Sequence, residues 1–238
     1  MIKKYKKLLF DLDNTLVDDD ENRKYAFEKI LVQRKEQVTN EKLEKFIQLD
    51  NQYWKYRAEG KKRDPYKFKT KEEKTIWVRA QRFREYFNGI TLEDAIQINE
   101  KYINLLKEKI IPIKNSTEIL KYLYDKKYEL YIVTNGPSKV VTDKLTKINV
   151  QNLIKDIFSA EEAGYMKPHR EFFDKFFSKT NNYNTEEMLI IGDELEKDIL
   201  GGIQNKIDTC WFNPKKLNNN KYKTNYEICD LLELKKIL

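Results

Sequence analysis

The 238 residues suffice for one large domain or two modest ones, and 40% hydrophobic with 36% charged side chains fits a packed core rather than a disordered or collagen-like chain. A formal charge of +7 favours anionic ligands, but no basic block is long enough to demand a polyanion. Lys61-Lys62-Arg63 through Lys67 and Lys69 is interrupted by Asp64 and Pro65 and reads as a solvated loop. Cys210 and Cys229 have neither metal-ligand nor redox spacing and read as small buried hydrophobes, without an oxidising compartment. The first apolar run is cut by Asp11, which argues against a signal-peptide core, and no run approaches about 18 apolar residues. A soluble, cytoplasmic protein is therefore expected.

In chain order, residues 7–12 predict a short buried strand, ended by the charged stretch from Asp18 to Arg23. From there to about Ile110, apolar and aromatic residues recur at helical spacing, among them Phe27, Ile30 and Leu31, then Phe46 and Ile47, then Phe83 and Tyr86, then Tyr102 and Leu105. Thr39-Asn40 and Thr91 mark helix starts, the second with capping-box spacing to Asp94, and Asn88-Gly89 marks a stop. Roughly four helices follow, enough for a small bundle. After Pro112 the pattern alternates: helix 115–126, strand 129–134, helix 137–147, a short strand near Ile157-Phe158, helix 169–179, strand 188–192, helix 196–204, strand 209–212 and a last helix around 226–237. Such alternation predicts an α/β fold with a doubly wound, Rossmann-like parallel sheet. The helical stretch then reads as an inserted α-helical bundle, a cap (18–110) on a core built from 1–17 and 111–238.

Three apolar runs end in groups suited to a phosphate ester. Carboxyl ends of strands in an open parallel sheet converge on one crevice, so these distant segments are expected to meet. Asp11 and Asp13 are two apart, and strand geometry persisting through them would point both side chains the same way. One carboxylate could then attack phosphorus while the other moves protons. Thr134-Asn135-Gly136 offers a hydroxyl, an amide and backbone N–H groups to phosphate oxygens. Gly192-Asp193 places a hard oxygen donor suited to Mg²⁺ beside the other carboxylates. Asp198 reads as a helix cap or a support for a neighbouring side chain, and Gly201-Gly202 as a site of close helix–sheet packing. Lys167 could neutralise nucleophile and phosphate. His169, the sole histidine, reads as an exposed residue on a first helical turn, whose removal changes little. Zinc has no ligand set, and neither Gly-x-x-x-x-Gly-Lys nor Gly-x-Gly-x-x-Gly occurs.

Asp-Leu-Asp-Asn-Thr-Leu at 11–16, Thr134-Asn135-Gly136, Lys167-Pro168 and Gly192-Asp193 through Asp198 together resemble, in order, the four signatures of the haloacid dehalogenase-like (HAD) superfamily. The resemblance implies Asp11 as nucleophile, Asp13 as acid/base, Thr134 and Asn135 as phosphate ligands and Lys167 as charge neutraliser. It also implies Mg²⁺ on the Asp11 carboxylate, the Asp13 backbone carbonyl and Asp193. An Asp at position 13 fits the phosphotransferase branches. Asp198 through Ile203, followed by Thr209-Cys210-Trp211-Phe212-Asn213, is similar to bacterial pyrimidine 5′-nucleotidases of the YjjG/YfnB type. Glu194 and His169 depart from the common pattern, and Glu194 could alter the charge near the metal.

The expectation is a Mg²⁺-dependent phosphatase acting on nucleoside 5′-monophosphates, pyrimidine ones foremost and non-canonical ones included, through an aspartyl-phosphate. Its partner is a small phosphate ester, without membrane or nucleic acid, in a monomer or homodimer. A phosphatase or phosphomutase of sugar phosphates is the enzyme alternative, and a non-catalytic binding module the other. Tyr53, Trp54, Tyr56, Phe87, Arg57, Arg79 and Arg82 could meet base, ribose or phosphate, but aromatics at helical spacing usually form core, so none is assigned to the site.

Overall fold

The computed structural model describes residues 5–59, 70–181 and 183–238; the basic stretch from Lys61 to Lys69 lies outside them. In chain order the elements are β1 (Lys7–Phe10), α1 (Asp19–Gln33), α2 (Asn40–Glu59), α3 (Lys71–Tyr86), α4 (Leu92–Glu108), α5 (Ser116–Asp125), β2 (Glu129–Thr134), α6 (Ser138–Lys147), β3 (Asp156–Ser159), α7 (Ala160–Ala163), α8 (Arg170–Thr180), β4 (Met188–Gly192), α9 (Leu200–Gln204), β5 (Asp208–Phe212), β6 (Tyr226–Ile228) and α10 (Leu234–Ile237). The chain divides into two compact units, one of residues 1–18 and 110–238, the other Asp19–Lys109.

The first unit is a six-stranded sheet in the order β3-β2-β1-β4-β5-β6, with every pairing parallel. Strands this apolar are buried on both faces, and their alternation assigns each residue to a side. Leu8, Phe10, Leu130, Ile132, Leu189 and Ile191 face α5, α6 and the C-terminal turn through Ile119, Leu123, Val141, Leu145, Leu231 and Leu234. Leu9, Tyr131, Val133, Met188 and Ile190 face the four phenylalanines of α8, Phe172, Phe173, Phe176 and Phe177. The glycine pair at the start of α9 lets that helix close on the sheet: a methyl at Gly202 would fall 2.5 Å from Thr209 Cγ2 and 2.6 Å from Ile190 Cγ2. The doubly wound order puts its reversal at β1, with β2 and β4 as neighbours, where open sheets leave a crevice beyond their carboxyl ends.

The end of the chain departs from the expected helix at 226–237. Tyr226–Ile228 is a strand, paired parallel to β5, and only Leu231–Glu233 and Leu234–Ile237 turn helically. Ile228 points into the core, whereas Glu227 accepts a bond from Asn213 Nδ2 at 2.7 Å, so period-two alternation prevails over these residues. Asp230 then caps the following turn by accepting from Leu232 N at 2.8 Å. Of the cysteines, Cys210 is buried and Cys229 half-buried, and both are free thiols.

The second unit comprises α1–α4 and an aromatic core. Phe27 and Phe46 stack at 3.8 Å, and Phe83, Tyr86, Phe87 and Tyr102 pack around them. Thr91 and Asp94 form the expected capping box of α4. This apolar bundle also encloses a charge network: Asp50, 0% exposed, accepts from Arg23 Nη1 at 3.0 Å and from Arg82 Nη1. Arg82 Nη2 continues to Asn99 Oδ1 at 2.9 Å, and Arg23 Nη2 to Asp20 Oδ1 at 2.5 Å. Asp50 is the carboxylate shared by both buried arginines, and breaking such a group by removing one partner costs about 3–5 kcal/mol. Asp50→Ala is therefore expected to lose about that much stability in urea unfolding of the full chain; a loss below about 1 kcal/mol would show that the arginines find water instead.

Candidate active site

β1 ends at Phe10, and the next residues do not continue its pleat. Asp11 N still donates to Ile191 O at 2.9 Å. The Leu12 carbonyl then accepts from Thr15, Leu16 and Val17 N–H groups at 3.3, 2.8 and 3.0 Å, closing a tight turn in which Asn14 takes φ 60°. Asp11 and Asp13 reach the same crevice through this turn rather than by strand alternation.

At its centre stands Lys167, 3% exposed. Its Nζ donates to Asp11 Oδ1 at 2.6 Å, Asp198 Oδ1 at 2.7 Å and the Val133 carbonyl at 2.7 Å, which satisfies all three ammonium hydrogens. Asn135 holds the lysine's own backbone: its Oδ1 accepts from Lys167 N at 2.7 Å and its Nδ2 donates to Lys167 O at 3.1 Å. The Asn135 amide therefore positions the Lys167 segment. Thr134 is buried, and its Oγ1 accepts from Gly136 N at 3.0 Å, leaving the hydroxyl hydrogen to donate elsewhere.

Asp193 follows β4. Its Oδ1 accepts from Thr15 Oγ1 at 3.1 Å and its backbone carbonyl from Trp211 Nε1 at 2.9 Å. Asp198 packs directly over Gly192, where any added Cβ would fall 2.3 Å from its carboxyl carbon, and its Oδ2 accepts from Glu194 N at 3.1 Å. The helical stretch predicted at 196–204 opens as a π-helical turn, Leu195–Ile199, which turns Asp198 inward. Asp198 thus supports its neighbours rather than capping a helix. Glu194 is exposed and accepts from Lys197 Nζ at 2.6 Å. His169 is exposed at the start of α8.

Asp11, Asp193 and Asp198 each bring a carboxylate oxygen within 4.8 Å of the others. Burial pushes the Asp11 carboxyl up to about 6 against the opposing pull of the Lys167 ammonium. Burial, then the Asp11, Asp198 and Glu194 carboxylates, push Asp193 well above the usual range. Lys167 is pushed down by burial, but Asp11 and Asp198 outweigh that and raise it, so it stays charged. A hard divalent cation fits this donor set, since it would relieve the repulsion that raises Asp193. Both oxygens of Asp198 are engaged, Oδ1 by Lys167 Nζ and Oδ2 by Glu194 N.

Two contributors escaped the sequence reading. Lys144 donates to Asp13 Oδ1 at 2.5 Å, and Trp211 anchors Asp193. The signal for Lys144 was its position on the apolar stripe of α6, with Val141 and Leu145. Among the aromatic and basic residues of the helical unit, half-buried Phe87 packs on Phe27 at the edge of the core, and buried Arg82 is held by Asp50. Tyr53 donates to Glu85 at 2.8 Å, Arg79 lies 5.6 Å from the Trp54 ring, and the side chains of Tyr56 and Arg57 lie outside the described residues.

Lys167→Met would leave Asp11 and Asp198 buried without their cation. Breaking a buried pair this way is expected to cost about 3 kcal/mol or more in urea unfolding, without substrate. A variant as stable as the parent would mean that the carboxyls are not charged in the folded state.

The profile of the family described as haloacid dehalogenase-like hydrolase matches residues 8–212. The HAD-hydrolase YfnB of Bacillus subtilis is 32% identical over 100% of this chain and 97% of its own length. Pyrimidine 5′-nucleotidase PynA of Streptococcus pneumoniae is 28% identical over 97% and 93%, respectively. The crystal structure of YfnB bound to magnesium superposes with a TM-score of 0.83, covering 99% of both chains. Among the described residues, no helix is long and apolar enough to cross a membrane. With the carboxylates and Lys167 gathered at the reversal point of a parallel sheet, and a family match over most of its length, this chain belongs to the haloacid dehalogenase-like hydrolases.

Proposed function

We propose that this hydrolase is a Mg²⁺-dependent phosphatase that releases phosphate from nucleoside 5′-monophosphates, pyrimidine ones foremost and non-canonical ones included, through an aspartyl-phosphate on Asp11. The observation that carries the chemistry is Asp11 itself, a buried carboxylate held 2.6 Å from a charged lysine, with Asp193 beside it. The nucleotide preference rests on likeness to PynA and to pyrimidine 5′-nucleotidase YjjG of Escherichia coli, 29% identical over 56% of this chain and 58% of that protein.

In this reading Asp11 attacks phosphorus while Asp13 gives a proton to the departing ester oxygen. Asp13 then takes a proton from the water that hydrolyses the acyl phosphate. Thr134 and Asn135 hold phosphate oxygens; the Asn135 amide is engaged on Lys167, so its backbone N–H is the group assigned to phosphate. Lys167 offsets charge on nucleophile and phosphate. Mg²⁺ would be held by the Asp11 and Asp193 carboxylates and the Asp13 carbonyl, and when bound it supplies charge neutralisation for the phosphoryl group. Residues 18–110 are assigned as a cap domain and 1–17 with 111–238 as the catalytic core, a reading supported by the division of the chain near those bounds.

Purified protein with Mg²⁺ is expected to release inorganic phosphate from dTMP, dUMP or UMP, and little from hexose phosphates. Hexose phosphates as the better substrates would move the assignment to sugar-phosphate chemistry, and isomerisation without net release would make it a mutase. Chelation with EDTA should stop turnover and added Mg²⁺ restore it. Asp11→Asn should lose about a thousandfold or more in kcat while keeping its circular dichroism spectrum. Substantial turnover by that variant would rule out the covalent step.

A further inference from the structure

Lys144 lies in the last turn of α6, on the helix face that carries Val141 and Leu145, both buried against the sheet. A lysine on an inward face must bring its charge to a partner or to water. Its side chain is 13% exposed, and its Nζ lies 2.5 Å from Asp13 Oδ1, a contact across 131 positions of sequence. A methyl built on Gly136 would lie 4.0 Å from Asp13 Oδ2 and 3.4 Å from Thr134 Oγ1, so Oδ2 is turned toward the Thr134–Gly136 turn. The two oxygens of Asp13 are thereby differentiated.

We propose that Lys144 is a positioning residue for proton transfer by Asp13: it pins Oδ1 and so presents Oδ2 to the leaving oxygen of the substrate. The proposal rests on the assignment of Asp13 as acid/base. The step it serves is balanced. An Asp11 oxygen forms the bond to phosphorus as the ester P–O bond breaks. The electron pair of that bond goes to the ester oxygen, which takes the proton from Asp13 Oδ2. The resulting Asp13 carboxylate is left facing the Lys144 ammonium. A pinned Oδ1 also fixes the carboxyl plane for the reverse task, accepting a proton from water in the second step.

The test compares two esters that differ in their need for an acid. A nucleoside 5′-monophosphate such as dUMP expels an alkoxide and needs the proton; p-nitrophenyl phosphate expels a stable phenolate and does not. The quantity to compare is kcat/KM, which covers the steps up to departure of the leaving group. Lys144→Met is expected to lose about tenfold or more on dUMP and much less on p-nitrophenyl phosphate, and Lys144→Arg to recover most of the loss on dUMP. Equal losses on both esters would overturn the proposal, since they would make Lys144 a phosphate ligand or a purely structural group. A thermal midpoint for each variant separates a folding defect from a kinetic one, and the ratio between the two esters is insensitive to the fraction folded. Asp13→Asn, assayed with the same pair, checks the parent assignment. If it shows the selective loss and Lys144→Met does not, Asp13 is the acid and the positioning role falls. If Asp13→Asn shows no selectivity, the acid assignment falls and takes the proposal with it.

Discussion

The structure of the site depends on one ammonium group among closely spaced carboxylates. Asp11, Asp193 and Asp198 approach within 4.8 Å of one another at the end of a sheet whose strands are almost fully buried. Two like charges at about 4 Å repel by roughly 4 kcal/mol at an effective dielectric near 20, so three cannot be gathered there unaided. Lys167 offsets this by bonding two of them, and its third hydrogen goes to the Val133 carbonyl, which ties the charge to β2. The neighbourhood then reads as a set of devices for holding Lys167 and its partners. Asn135 clamps the lysine backbone from both sides, and Gly192 leaves room for Asp198. Asp193 lies outside the reach of Lys167's bonds, and burial first, then the neighbouring carboxylates, push its carboxyl upward.

A second lysine divides the work of the Asp-x-Asp turn. The turn sends Asp11 toward Lys167 and Asp13 toward Lys144, so the two carboxylates are distinguished by environment although they are two residues apart. Asp11 is buried and Asp13 retains 39% side-chain exposure. A nucleophile needs a fixed, dehydrated approach, whereas a group that exchanges protons with both an ester oxygen and water needs access to each. The alternation of a strand would have placed both acids in similar surroundings. The tight turn around the Leu12 carbonyl, with Asn14 in the left-handed region, separates them.

The helical unit solves a different problem. Phe27, Phe46, Phe83 and Tyr102 belong to one buried core, within which the guanidinium of Arg82 lies 4.9 Å from the Tyr102 ring and 5.0 Å from the Phe83 ring. A buried guanidinium is tolerable because Asp50 and Asn99 accept from its Nη1 and Nη2, and the aromatic faces add cation–π attraction, although its buried Nε has no hydrogen-bond partner among the described residues. Residues that looked suited to a ligand by type, such as Arg82 and Phe87, are thus engaged internally. Aromatic or basic character by itself does not distinguish a ligand contact from a core contact.

How much could be read from the sequence follows from the range of the interactions. β1, β2 and β4 are continuous apolar runs between turn signals, so their extents and the crevice at their ends were readable from local pattern. Thr91 and Asp94 sit three apart, so their capping box was readable too. The stretch from Tyr226 reads as helix in the sequence, and the feature that makes it a strand, pairing with β5, lies outside its own residues. The lysines mark the sharper limit. Lys167 and Lys144 are two among 46 basic residues, and their partners Asp11 and Asp13 lie 156 and 131 positions away. Lys167 could be singled out only because it falls within an ordered set of signatures. Lys144 falls in none, and only its inward place on α6 sets it apart. That place becomes informative once the parallel register of β1 and β2 has brought α6 over the end of β1, since a charge at an inward position there must find an opposite charge within reach.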